Sequence, residues 1–145
     1  MATEIERKFL VRSDLLPPLP APSELTQGYL SVEPVVRVRL RVSPGGVESA
    51  ALTVKGKGLL SRAEFEYEIP PADARPLLAL CGRKLSKRRH VLGRWEIDHF
   101  PDRDLWLAEI ELGDEAEPFD RPDWLSDEVT SDPAYANARL AGETK

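Results

Sequence analysis

The stretch Val36-Arg37-Val38-Arg39-Leu40-Arg41-Val42 alternates apolar and cationic residues without a break. Successive side chains on a strand point to opposite faces, so this period of two reads as a β-strand with an apolar face and an arginine face. The same alternation recurs on both sides. Candidate strands run over Glu4–Val11, Gln27–Val32, Val36–Val42, Glu48–Lys55, Arg62–Ile69, Leu85–Leu92, Arg94–Phe100 and Leu105–Leu112. Turn signals at Ser43-Pro44-Gly45-Gly46, Gly56-Lys57-Gly58, Gly93 and Pro101-Asp102 separate several of them.

Two helices fit between the strands. Asp73–Cys81 puts Ala74, Leu77, Leu78 and Cys81 on one face, with Gly82 as the stop. Pro76 fits that helix if it starts near Asp73, so that the proline falls in the first turn. Near the C-terminus, Asp132 can cap a helix with Pro133 at its first position, running to Ala141 before Gly142. Pro17–Pro22 is a proline-rich connector. The 145 residues, free of internal repeats, are expected to form one domain, 1–145.

Composition removes several function classes. A formal net charge of −5 argues against a nucleic-acid binder, which carries a basic excess. No apolar run approaches the roughly 20 residues that cross a bilayer. The acidic start Met1-Ala2-Thr3-Glu4 has no secretory apolar region, and the lone Cys81 cannot form an internal disulfide, so a cytoplasmic protein is expected. Two histidines and one cysteine supply no zinc ligand set.

The polar face of these strands is charged on strand after strand. It carries Glu4, Glu6 and Lys8; Arg37, Arg39 and Arg41; Lys55; Arg62, Glu64, Glu66 and Glu68; Lys87 and Arg89; Glu96 and Asp98; Glu109 and Glu111. An open antiparallel sheet with one solvated face produces this pattern. So does a sheet closed on itself with the charges inside, since eight strands enclose room for side chains or one small ligand. Alternation alone leaves both open. The residue types favour closure. Glu4/Glu6, Arg37/Arg39, Glu64/Glu66, Lys87/Arg89 and Glu109/Glu111 are same-sign pairs two apart on one face. They repel unless a multivalent partner sits between them: a divalent cation for carboxylates, an oxyanion for arginine and lysine.

Glu4-Ile5-Glu6-Arg7-Lys8-Phe9 resembles the E-x-E-x-K opening of the CYTH domain, or triphosphate tunnel metalloenzyme fold. The resemblance continues in order through Gln27-Gly28-Tyr29-Leu30, Val36–Arg39, Leu52–Gly56, Arg62–Glu66, Lys87–Arg89, Trp95–Asp98, Ala108–Leu112 and Trp124 to Thr130. It implies an α+β, mainly β fold: an eight-stranded antiparallel β-barrel tunnel with a few short peripheral helices. It implies a metal-dependent triphosphatase that cleaves a linear triphosphate, above all inorganic tripolyphosphate, to pyrophosphate and phosphate with Mg²⁺ or Mn²⁺. Carried over by position, Glu4, Glu6 and Lys8 look catalytic. Glu4, Glu6, Glu109 and Glu111 look metal-binding, with Glu64 and Glu66 joining the metal site or orienting nearby bases. Lys8, Arg37, Arg39, Lys55, Lys87 and Arg89 look like a phosphate clamp, with Arg62 added and Asp98 in the same lining. The partner so implied is a triphosphate-containing small molecule, not nucleic acid or membrane; a homodimer stays open. So do two other readings, a nucleotide-using member (adenylate cyclase or nucleoside triphosphatase) and a non-catalytic polyphosphate-binding module.

Pro101-Asp102-Arg103-Asp104, where many members turn with glycine, and Arg88, where a smaller residue is common, depart from the family pattern. Trp95, Trp106 and Trp124 are expected to pack on the outer shell, and His90 and His99 to face outward. Tyr29 shares parity with Gln27 and reads either as a tunnel residue or as core. The C-terminal helix either covers a barrel mouth or packs outside.

Overall fold

The computed structural model describes residues 2–143. Its strands are β1 (Ala2–Val11), β2 (Ser23–Val32), β3 (Val35–Val42), β4 (Glu48–Lys55), β5 (Ser61–Ile69), β6 (Arg83–Leu92), β7 (Trp95–Phe100), β8 (Leu105–Glu111), β9 (Leu125–Glu128) and β10 (Gly142–Glu143). Helix α1 spans Pro71–Leu80 and α2 spans Asn137–Leu140. Hydrogen bonding runs β6-β2-β3-β4-β5-β1-β8-β7, and β7 returns to β6. Eight antiparallel strands therefore close into a barrel, and all eight are the expected ones.

Closure explains how alternation can place charge inside. Strand partners share a face, and the register sets charged residues opposite one another: Glu4 against Arg62, Lys8 against Glu109, Lys55 against Glu64 and Arg89 against Asp98. The apolar parity points outward, where chain from elsewhere covers much of it. Phe9, Trp95, Ile97, Ala108 and Ile110 form one outer cluster with Trp124, Leu16, Leu19 and Phe119. The proline-rich connector thus has a structural use, supplying Leu19 as cover. Helix α1 covers β3 and β4 through Ala74 and Leu78 on Val38 and Ala50. Gly28 permits this close approach, because a Cβ there would lie 2.7 Å from Cys81 Cβ and Sγ.

A third cluster joins Leu85, Phe100 and Leu107 to Leu10, Tyr135, Leu140 and Ala141. These strand positions share parity with Lys87, Asp98, Glu109 and Lys8. The inner face therefore turns apolar toward one end, and the C-terminal segment seats there. Of the two placements left open, the structure selects the one over the barrel end.

That segment is not one helix. Asp132 caps Ala134 N as expected, but a 3₁₀ turn at Pro133–Tyr135 gives way at Ala136, which is extended, before α2. Lys8 Nζ donates to the Tyr135 carbonyl at 2.9 Å and Lys87 Nζ to Asn137 Oδ1 at 2.9 Å, so tertiary bonds hold the break. Gly142 begins β10 on β6 rather than ending a helix. Helix α1 starts two residues before Asp73, leaving Pro76 in its second turn; Ala72, whose carbonyl would have accepted the missing N–H, is exposed and reaches water. Strand β9 takes the half of one β1 edge that β5 leaves uncovered. The tryptophans and histidines lie on the outer shell: Trp95 and Trp124 meet edge-on at 5.4 Å, and His99 stacks on Trp106 at 4.2 Å.

Candidate active site

A cavity of about 900 Å³ fills the barrel. Its wall holds Glu4, Glu6 and Lys8 from β1, Arg37 and Arg39 from β3, Lys55 from β4, and Arg62, Glu64 and Glu66 from β5. Arg89 from β6 and Glu109 and Glu111 from β8 complete the expected residues there. Tyr29 and Glu96 also line it. Residues scattered over more than a hundred positions thus meet through the inward parity of a closed sheet.

The carboxylates divide into groups. Glu6, Glu96 and Glu109 each offer an oxygen within 4.8 Å of the others, which fits a cation site. Glu96 pairs directly with Glu109 and Glu6 with Glu111, so like charges stand opposite each other. Buried and beside Glu109 and Glu4, the Glu6 carboxyl titrates well above the ordinary range. Burial also pushes Glu109 up, but Lys8, Lys87 and Arg89 outweigh it and hold Glu109 well below that range. Two adjacent carboxyls cannot both ionise cheaply, and a cation between them relieves that repulsion. Glu109 Oε1 is buried and accepts no hydrogen bond, with Lys8 Nζ 3.5 Å away. This donor set of hard oxygens, one of them unsatisfied, fits Mg²⁺ or Mn²⁺.

The remaining acids serve the bases. Glu4 accepts from Lys55 Nζ at 2.8 Å and Arg62 Nε at 3.3 Å. Burial works against ionisation, but Lys55 with its hydrogen bonds and Arg62 bring Glu4 down to about 2. Glu64 lies 3.5 Å from Lys55. Arg37 Nη2 donates to Thr53 Oγ1 at 3.2 Å, and that hydroxyl donates to Glu66 at 3.3 Å. Glu66 and Glu111 are exposed, and Glu111 lines the cavity beside Glu6.

The bases divide too. Arg37 is buried with an unpartnered Nε. Burial, together with Arg37 and Arg89, lowers Arg39 to about 9. Arg89 grips Asp98 through two hydrogen bonds of 2.8 and 2.9 Å and touches Glu96 at 3.0 Å. Lys87 stands behind this wall, 2.7 Å from Asp98 and shielded from solvent. Burial lowers it to about 7, with Asp98 resisting. Glu96 escaped the expected metal set although it sits on the charged parity; its one signal was that shared parity with Asp98.

A model of the CYTH domain matches residues 2–138. The chain belongs to the CYTH family. A curated relative from Acetivibrio thermocellus, named inorganic triphosphatase, is 40% identical over 149 residues, spanning 97% of this chain and 94% of its own. An inorganic triphosphatase of Nitrosomonas europaea is 38% identical, spanning 96% and 97%. The crystal structure of the inorganic triphosphatase NE1496 superposes with a TM-score of 0.63 at 33% identity, covering 95% of this chain and 97% of that one.

Proposed function

We propose that this CYTH protein hydrolyses inorganic tripolyphosphate to pyrophosphate and phosphate with Mg²⁺ or Mn²⁺. One observation supports it above all: the acid trio Glu6, Glu96 and Glu109 shares the barrel cavity with Lys8, Arg37, Arg39, Lys55, Arg62 and Arg89. A cavity lined by both signs suits a divalent cation together with a polyanion. The carboxylate trio offers hard oxygens to the cation, and the arginines and lysines offer donors to phosphate oxygens. The two relatives named inorganic triphosphatase support the choice of substrate.

Glu6, Glu96 and Glu109 would hold the cation, with Glu4 and Glu111 adjoining. When bound there, the cation supplies Lewis acidity toward phosphate oxygens. Phosphoryl transfer needs positioning and charge neutralisation more than covalent chemistry from the protein. Arg37, Arg39, Lys55 and Arg62 hold the phosphate chain from β3 to β5, while Lys8 on β1 and Arg89 on β6 flank them around the barrel. The water oxygen forms the new bond to the terminal phosphorus and the bridging P–O bond breaks. Lys8, already charge-paired with Glu109, offsets charge on the departing pyrophosphate. Lys87 acts from behind, through Asp98 and Arg89.

The test is a substrate panel of tripolyphosphate, ATP and longer polyphosphate, each with Mg²⁺, Mn²⁺ or chelator, with products identified. Metal-dependent release of phosphate and pyrophosphate from tripolyphosphate is expected. Cyclic AMP from ATP, or binding of tripolyphosphate without turnover, overturns the proposal.

A further inference from the structure

Gln27 is fully buried on β2, behind the cavity wall, and engages two wall residues at once. Its Nε2 donates to the Tyr29 hydroxyl at 2.8 Å, and its Oε1 accepts from Arg39 Nε at 2.9 Å. Arg39 Nε can only donate, so the amide oxygen must face it and the amide NH₂ must face Tyr29. The chemistry of the partners dictates which way the amide points.

Two consequences follow for the wall. The Tyr29 oxygen, having accepted one N–H, keeps its own proton for a further acceptor. Burial raises the phenol above its ordinary value, with Arg37 and Arg39 pulling the other way, so that proton is present at neutral pH. Arg39 is held through its Nε, a bond that leaves the terminal nitrogens out of the contact with Gln27, and Arg39 and Tyr29 both line the cavity. A carboxylate at position 27 would neutralise Arg39, which burial, Arg37 and Arg89 already strain. A neutral amide leaves that guanidinium charge unspent, which suits a site that receives an anion.

We propose that Gln27 is a positioning residue, holding the Arg39 guanidinium and the Tyr29 hydroxyl as two donors aimed at the phosphate oxygens of the bound triphosphate. The assignment rests on the triphosphatase reading. It goes beyond it by adding a residue outside the cavity wall that acts only through two others.

The experiment compares the wild type with Gln27→Glu, Gln27→Met, Tyr29→Phe and the Gln27→Glu/Tyr29→Phe double variant. Each is read by steady-state kinetics on tripolyphosphate with Mg²⁺ or Mn²⁺ and by thermal unfolding. Gln27→Glu keeps a partner for Arg39 and is expected to melt no lower than wild type, yet to lose about tenfold or more in kcat/KM as the Tyr29 proton turns inward and the Arg39 charge is cancelled. In the Tyr29→Phe background the same change should cost markedly less than it does alone. Gln27→Met, similar in size, should lose activity with both donors unheld. Wild-type kinetics in Gln27→Glu, or full multiplication of the two losses in the double variant, overturns the assignment. A wild type that releases no phosphate overturns the triphosphatase reading instead. The positioning role is then read from the calorimetric affinity of Gln27→Glu for tripolyphosphate with metal, where a value equal to wild type overturns it.

Discussion

Lys87 Nζ lies 2.7 Å from Asp98 Oδ2, and solvent reaches neither side chain. Asp98 in turn holds Arg89 through both of its oxygens, and Arg89 faces the cavity. Lys87 therefore meets the cavity wall through Asp98 and Arg89, and it also anchors Asn137, which lines the cavity.

Replacing Lys87 by Met removes one partner from a buried carboxylate and one donor from Asn137. Breaking a buried pair from one side costs about 3–5 kcal/mol. Urea unfolding of Lys87→Met should show a loss of that order, with wild-type stability the outcome that excludes this arrangement.

Glu109 belongs to the acid trio and Glu111 stands exposed beside it. Calorimetric Mn²⁺ titration should find binding weakened far more in Glu109→Gln than in Glu111→Gln, since losing a central ligand leaves the trio with two carboxylates. Equal losses would place the cation nearer the exposed end.

Glu4 gives a pH dependence whose sign follows from its shift. In the folded protein it sits at about 2, below its ordinary 4.5, so the unfolded chain binds the proton more readily. Its contribution to stability is fully present above 4.5 and is lost as pH falls through about 2. Metal-free Glu4→Gln should be less stable than wild type at pH 6, and the gap should close toward pH 2. Unfolding curves across that range check it.

Removing residues 133–145 uncovers Leu85, Phe100 and Leu107 at the barrel end and strips Lys8 and Lys87 of acceptors. A lowered melting temperature with increased binding of an apolar dye is expected. The milder Asn137→Ala should cost about 1.5–3 kcal/mol, the range for one hydrogen bond to a charged group.

Gly28→Ala places a methyl carbon 2.7 Å from Cys81, inside contact distance. Overpacking of this kind costs about 1–3 kcal/mol. Chemical denaturation should register it, and Cys81→Ala should relieve part of the loss by removing the sulfur.

Much of the site was legible before any coordinates. The charged parity named Glu6, Arg37, Arg39, Lys55, Arg89 and Glu109, and each of these lines the cavity. What escaped was decided by neighbours. Glu96 joins the trio only because the β7–β8 hairpin sets it opposite Glu109. Leu125-Ser126-Asp127-Glu128 carries no alternation, and it forms β9 because part of the β1 edge lacks β5. Asp132-Pro133 announced a helix start correctly, yet the bonds from Lys8 and Lys87 favour a break at Ala136 over a continuous helix.

The sequence by itself determined which residues share a face, because strand parity is local: each side chain's direction follows from its neighbours two positions away. It thereby determined that arginines, lysines and glutamates would line one surface. Only the tertiary structure decided that this surface is an interior, since closure depends on β6 meeting β7 and on β1 joining β5 to β8. It alone decided depth as well. Lys87 and Arg89 are equivalent by parity, yet Asp98 and the C-terminal segment bury one and leave the other facing the cavity. Register over long separations sets such pairings, and no window of a few residues contains it.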